Sequence, residues 1–205
     1  MRYVQFAGFH WLCRDGDQGH AFYSSENVSL VGRRIRLACK PGSAAGVLLD
    51  RELGYGTHTL IVTGRLFAGN LATIFTGWIY DEDSKQEFDI EIGYCGDQHH
   101  DRPIHLGIPG RVPNMERDWF PIKPYEKWKF IIVHHPDKAE MFVEGWHVKE
   151  KKWKRVAWFS EGRKNHSRGR FRASVWQVGN KDAPGTSPGV ATMYMEDYDF
   201  EPYAA

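Results

Sequence analysis

The chain holds no apolar stretch approaching the ~20 residues that a membrane-spanning helix needs, so no membrane partner is expected. It is poor in cysteine. Cys13, Cys39 and Cys95 are three in number, so at least one thiol has no partner within the chain. No metal-ligand spacing connects them, and they read as small, semi-buried residues. An excess of one charge is lacking too: 27 basic side chains stand against 26 acidic ones, a net charge of +1. A nucleic-acid binder would carry a basic face. The one basic run, Lys149-Glu150-Lys151-Lys152-Trp153-Lys154-Arg155, is interrupted by Glu150 and reads as a solvated hairpin. Met1 to Trp11 lacks the charged-then-apolar layout of a secretory signal. Helical periodicity, internal repeats, low-complexity segments and linkers are missing as well. The expectation is one all-β domain over residues 1–205, monomeric, with no nucleic-acid partner.

What is present is a set of short alternating apolar runs bounded by Gly, Pro, Asn and Asp, the pattern of a sandwich or barrel. Strands are predicted at Val28–Leu30, Arg34–Cys39, Gly46–Asp50, Gly56–Arg65, Ala72–Ile79 and Glu87–Tyr94. Further ones are predicted at Ile104–Ile108, Lys127–His134, Ala139–Val143, Arg170–Gln177 and Thr192–Pro202. Turn residues punctuate them at Val31-Gly32-Arg33, Lys40-Pro41-Gly42, Asp81-Glu82-Asp83-Ser84 and Glu144-Gly145. Long connections at Gly96–Pro103, Gly110–Pro124 and Gly179–Gly189 have the length of binding loops or of surface insertions. Aromatics reach 14% with eight Trp, which suits a core and equally the stacking of pyranose faces.

One strand is unusual. In Glu87-Phe88-Asp89-Ile90-Glu91 successive side chains point to opposite faces, so Phe88 and Ile90 face the core while three carboxylates share the other face. Like charges in a row repel, and Asp and Glu are poor strand formers. Glycoside hydrolysis requires paired carboxylates, ~5–5.5 Å apart in the retaining mechanism. On a flat strand Glu87 and Glu91 would stand ~13 Å apart at Cα, so their tips approach only on a concave sheet with inward-leaning side chains. Asp89 between them can hydrogen-bond the nucleophile and help one carboxyl of the set to stay protonated. The plain alternative is an exposed strand face whose acids pair with neighbouring Lys or Arg.

These residues resemble glycoside hydrolase family 16, especially its lichenase-like members, which hydrolyse mixed β-1,3-1,4-glucans. That family carries Glu-x-Asp-x-Glu on a cleft strand. Glu87, Asp89 and Glu91 match it without the extra residue of the laminarinase and agarase branches. Trp11 with Asp15-Gly16, Phe22 and Asn27-Val28 resemble the family's opening segment, and Gly54-Tyr55-Gly56 its Gly-Tyr-Gly. Phe75-Thr76 resembles the cleft strand that precedes the acids. Glu140-Met141-Phe142-Val143-Glu144-Gly145 resembles a strand and turn, Val175-Trp176 an Asn-Leu-Trp, and Tyr198-Asp199-Phe200 a Tyr-Asp-Trp.

The resemblance implies a β-jelly-roll sandwich of two curved antiparallel sheets with a concave cleft, and an extracellular or periplasmic enzyme. Its activity would be that of a retaining endo-β-glycanase on β-1,3-1,4- or β-1,3-glucan. Glu87 would be the nucleophile, Glu91 the acid/base and Asp89 the auxiliary acid. A non-catalytic carbohydrate-binding relative, or a transglycosylase with the same acids, is the alternative. Trp176, Phe75, Trp78, Gln18, His105 and Ser174 are the candidate sugar contacts, with Trp119 as a cap over the cleft. His105 is expected to reach a catalytic carboxylate, while His99 and His100 read as loop residues. No cofactor is required for catalysis, but the resemblance places a structural Ca²⁺ at Gly32 and Asp199.

Departures from the family are equally plain. Gly46 and Leu48 stand where lichenases place a sugar-contacting Glu and Arg, Lys85 or Gln86 where a cleft Trp stands, and Ser174 where an Asn does. The glycan is therefore expected to differ.

Overall fold

A computed structural model describes residues 1–17, 21–64, 73–93, 104–107, 118–120 (backbone), 125, 127–162, 164–165, 168–177 and 190–204. Two antiparallel sheets form a sandwich. One orders β1 (Tyr3–Phe6), β2 (Phe9–Cys13), β7 (Ala45–Leu49), β16 (Arg170–Gln177), β9 (Thr73–Tyr80), β10 (Glu87–Gly93), β11 (Ile104–Gly107) and β12 (Asp118–Phe120). The other orders β15 (Lys152–Gly162), β14 (Lys138–His147), β13 (Lys127–His134), β8 (Gly56–Thr63), β17 (Ala191–Pro202), β6 (Arg34–Cys39) and β5 (Val28–Val31). β3 (Gly16–Asp17) and β4 (Phe22–Tyr23) form a short ribbon, and Ser25–Asn27 makes a 3₁₀ turn. The alternating runs predict a sandwich or barrel, and the chain forms the β-jelly-roll sandwich that the resemblance implies.

The two sheets differ in how they bury their faces. β8 and β13 alternate buried and half-buried residues along their whole length, one face on the core and one toward solvent. β9 is buried at seven consecutive positions, because its second face is covered too. The core lies between the sheets. Phe75, Phe88, Ile90, Ile92, Phe171 and Val175 from the eight-stranded sheet meet Leu60, Val62, Phe130, Ile132 and Met141 from the seven-stranded one. Each fully buried aromatic or aliphatic side chain contributes about 1.5–3 kcal/mol of transfer free energy. Gly77 lets Phe130 pack against the β9 backbone, since a Cβ there would stand 3.0 Å from the ring.

Several elements went unread in the sequence. β1 and β2 form a hairpin across Ala7-Gly8, both at positive φ (51° and 80°). That is the two-residue turn that suits strand twist, but Ala7 stands where Asn or Asp usually signals it. The basic run does fall at a hairpin, since residues 148–151 turn between β14 and β15. There Glu150 pairs with Lys152 at 2.9 Å and also with Lys154. β15 itself was not expected. Glu144-Gly145 is no turn: β14 runs through it to His147 with a bulge at Val143/Glu144. The glycine serves packing, because a Cβ at 145 would stand 2.3 Å from the Tyr125 ring.

The turn before the acidic strand does form where its residues placed it. Asp81 accepts hydrogen bonds from the Asp83 amide (2.9 Å) and the Ser84 hydroxyl (2.5 Å), and its carbonyl accepts from the Lys85 amide (2.9 Å). This closed turn delivers Glu87 opposite Tyr80 and fixes the register of β10 on β9. A slip of one residue would send the acids into the core.

Candidate active site

The register lines the outer face of the eight-stranded sheet in rows. One row runs Gly46, Ser174, Thr76, Glu91 and His105, from β7 to β11, and the backbone of Trp119 on β12 pairs opposite His105. The next runs Leu12, Leu48, Arg172, Trp78, Asp89 and Gly107, and a third joins Arg170, Tyr80 and Glu87. The alternation expected of the acidic strand is what the chain adopts. Phe88 and Ile90 are buried in the core, while Glu87, Asp89 and Glu91 share the opposite face.

His105 is fully buried and sits directly across from Glu91 on β11. Its Nδ1 lies 2.9 Å from Glu91 Oε2, so in the tautomer with hydrogen on Nδ1 the imidazole donates to the carboxylate. Asp89 joins them: each of Asp89, Glu91 and His105 brings one polar atom within 4.8 Å of the others. A cluster of this make-up has donors that would also suit a cation. Glu91 keeps its side chain 13% exposed, and Asp89 is buried.

The other candidates divide. Trp78 lies on the acid face but is largely covered, with the Arg14 guanidinium 5.3 Å from its ring. Trp176 shares that face, is half-buried, and packs on Ala21, Tyr23 and Ala44. Ser174 is fully buried, where its hydroxyl receives the Tyr23 hydroxyl at 3.3 Å and lies 3.5 Å from Thr76 Oγ1. It supports the cleft floor from beneath Tyr23.

Phe75 is a correction. It points into the core against Ile92 and Val175, and Ile74 and Thr76 are its neighbours on the acid face. β9 is buried on both sides, which erased the alternation that would have told the two faces apart. Gln18, His99 and His100 lie outside the described residues, as does the side chain of Trp119.

For calcium, Gly32 occupies the β5–β6 turn at φ 62° and Asp199 is exposed on β17. One carbonyl and one carboxylate are two of the six to eight oxygens that calcium takes. The cluster of acidic and histidine ligands found among the described residues is the one around Glu91 and does not include Asp199. Cys13 and Cys39 are buried, the Cys39 thiol 3.7 Å from the Lys40 carbonyl, and Cys95 lies outside the described residues.

Sequence reasoning missed Arg14, Tyr23 and Arg172. Arg172 could have been placed, since it shares the parity of Ser174 and Trp176 on a strand whose limits were predicted. Arg14 could not, because β2 had not been recognised. The Arg14 amide donates to the Gly46 carbonyl at 2.9 Å, which sets Arg14 beside that glycine. A Cβ at position 46 would stand 2.9 Å from Arg14 Cδ and 2.9 Å from the Tyr23 ring. The space of a side chain on β7 is thus taken by side chains arriving from its neighbours. Burial lowers the proton affinity of the Arg14 guanidinium; Tyr23 opposes this and Arg172 adds to it. Burial likewise raises the Tyr23 phenol, against the pull of Arg14 and Ser174.

Two open pockets border this face. One of about 500 Å³ is lined by Tyr80, Glu82, Asp83 and Arg170 among others, and one of about 380 Å³ lies between Arg14, Leu48 and Arg172.

Neither a protein-family model nor a curated protein sequence matches the chain. Solved structures do. A prokaryotic β-1,3-1,4-glucanase (lichenase) from a mouse hindgut metagenome superimposes with a TM-score of 0.70 at 14% identity, over 94% of this chain and 93% of that one. The β-glucanase of Bacillus licheniformis gives 0.68 at 13% identity, over 95% and 92%. An immunostimulatory antigen and pseudo β-1,3-glucanase of Mycobacterium tuberculosis gives 0.63 at 14%, over 92% and 88%. At such identities the likeness is one of architecture, from the first strand to the last. The chain has the β-jelly-roll fold of the lichenase structures.

Proposed function

We propose that the chain is a retaining endo-β-glycanase acting on a β-linked polysaccharide, with Glu87 as nucleophile and Glu91 as acid/base. The observation that carries the reading is the Glu91–His105 contact of 2.9 Å, on the same sheet face as Glu87 and Asp89. A bare run of acids on a solvated strand would have no reason to hold one carboxylate against a fully buried histidine. The fold, shared with β-glucanases, supports the same reading.

In the first step Glu87 attacks the anomeric carbon while Glu91 gives its proton to the departing glycosidic oxygen. In the second, Glu91 takes a proton from water, whose oxygen displaces Glu87 from the sugar. Asp89, between the two, orients the nucleophile, and His105 holds the Glu91 carboxylate in one rotamer. No metal or cofactor takes part. The structural calcium at Gly32 and Asp199 would be tested by whether EDTA lowers the melting temperature. Action outside the cytoplasm, as a monomer, completes the proposal.

A second reading has its own support. Gly46 and Leu48 offer no polar side chain where sugar-contacting Glu and Arg are expected, and one structure of this fold is described as a pseudo β-1,3-glucanase. That reading is a carbohydrate-binding protein without turnover. Reducing-end release over lichenan, laminarin, xyloglucan, agarose and carrageenan separates the two. Release by the wild type from one of them, abolished in Glu87→Gln, supports the enzyme; tight binding with no release supports the binder. Chain lengthening in place of shortening would point to a transglycosylase with the same acids.

A further inference from the structure

Two arginines lie nearly out of solvent on the acid face of the sheet, Arg14 at 7% and Arg172 at 6% exposure. Each is held by aromatic rings. The Arg14 guanidinium lies 4.0 Å from the Tyr23 ring centre, and that of Arg172 lies 4.7 Å from the Tyr80 ring centre. They stand in adjacent rows, Arg14 beside Gly46 and Arg172 between Leu48 and Trp78. Between them opens the pocket of about 380 Å³, whose remaining walls include Leu12, Asp15, Leu48 and Glu82.

A buried guanidinium needs both its charge and its N–H groups answered. For Arg172, the acids that line the pocket with it do so only in part. Asp15 is engaged with the Ser25 amide at 2.6 Å. Glu82 does receive Arg172 Nη2, yet its side chain is 54% exposed on the β9–β10 turn and could swing into water. Arg172 Nε is buried and makes no hydrogen bond. A planar guanidinium with one edge unused is suited to forked recognition of a carboxylate or sulfate. The pocket is also well placed. Arg172 shares a row with Asp89, two strands away, or roughly 10 Å at ~4.8 Å per strand.

We propose that this pocket is a subsite for an anionic substituent of the glycan, a uronate carboxylate or a sulfate ester, bound between Arg14 and Arg172. Glu82 occupies the anion's place until the sugar displaces it. The proposal rests on the glycan-binding reading above and narrows it from neutral glucans to charged ones. Arginine supplied by the residue after β2 and by β16 here serves a cleft in which β7 provides only Gly46 and Leu48.

Calorimetric titration of the full chain tests this with three sets of oligosaccharides: neutral gluco-oligosaccharides, sulfated galacto-oligosaccharides and oligouronates. One charged set should bind at least tenfold more tightly than the neutral set at low salt, and which one identifies the anion. Glu82→Gln, a change on an exposed turn, should tighten binding of that set severalfold. Arg172→Met should weaken it tenfold or more while leaving the neutral set unchanged, with circular dichroism confirming the fold. Equal or better binding of neutral sugars, or indifference to Glu82→Gln, overturns the subsite while leaving the glycanase reading intact. Failure of every sugar to bind overturns the glycanase reading itself.

Discussion

Glu91 and His105 face each other across the β10–β11 ladder, and the imidazole Nδ1 lies 2.9 Å from the carboxylate Oε2. The histidine, expected to meet sugar, is completely buried, so its place is behind the carboxylate and not against the substrate. His105→Asn removes that contact. The expected outcome is a fall in kcat of roughly tenfold or more with KM little changed, as expected when orientation of a transition-state group is lost. The limb of the pH–rate profile that reports the acid/base should move as well. An unaltered profile with lowered thermal stability would leave His105 a packing residue only.

Gly46 keeps open the space that the Arg14 stem and the Tyr23 ring occupy, with contacts of 2.9 Å to an added Cβ. Gly46→Ala should cost about 1–3 kcal/mol by overpacking. Urea denaturation would show it as a lower midpoint at unchanged slope. Sugar binding should weaken with it, since Arg14 must move.

The turn at Asp81 couples stability to the site. Asp81→Ala removes acceptors for the Asp83 amide and the Ser84 hydroxyl, and a loss of about 1–3 kcal/mol is expected. Because this turn sets where β10 begins, activity should fall by more than the stability change alone explains. Comparing kcat well below the melting temperature with the denaturation midpoint separates the two effects.

His58 makes folding sensitive to acid. Its ring stacks on Phe171 at 5.5 Å, contacts the Tyr198 hydroxyl through Nδ1 at 2.8 Å, and is fully enclosed. Burial, with His134 nearby, lowers its pKa from 6.5 to about 3. The folded chain therefore holds His58 neutral where the unfolded chain protonates it. This stability is present above pH 6.5 and is lost as pH falls toward 3, at up to about 1.4 kcal/mol per unit. Denaturation midpoints across that window should fall with pH in the wild type and fall less steeply in His58→Asn.

How much of this was legible in the sequence depended on the face in question. β13 and β8, wet on one side, print their alternation in Trp128, Phe130 and Ile132 or in His58, Leu60 and Val62, and their strands were found close to the observed limits. The acids of β10 were legible for the same reason, being polar on a strand whose other side is Phe88 and Ile90. β9 is buried on both sides, so Phe75 and Thr76 carried no mark of which one faced the cleft. The Arg14–Gly46 exchange was invisible because it is a relation between two strands, and the sequence reports only that Gly46 has no side chain.

The central claim is double displacement through Glu87 and Glu91. The anomeric configuration of the first-formed product, followed by proton NMR on the β-glycan from which the wild type releases reducing ends, tests it most directly. The β-anomer should appear first and mutarotate to the equilibrium mixture afterwards, and Glu87→Gln should give no signal. The α-anomer appearing first, or no product from any β-glycan tried, would contradict the account.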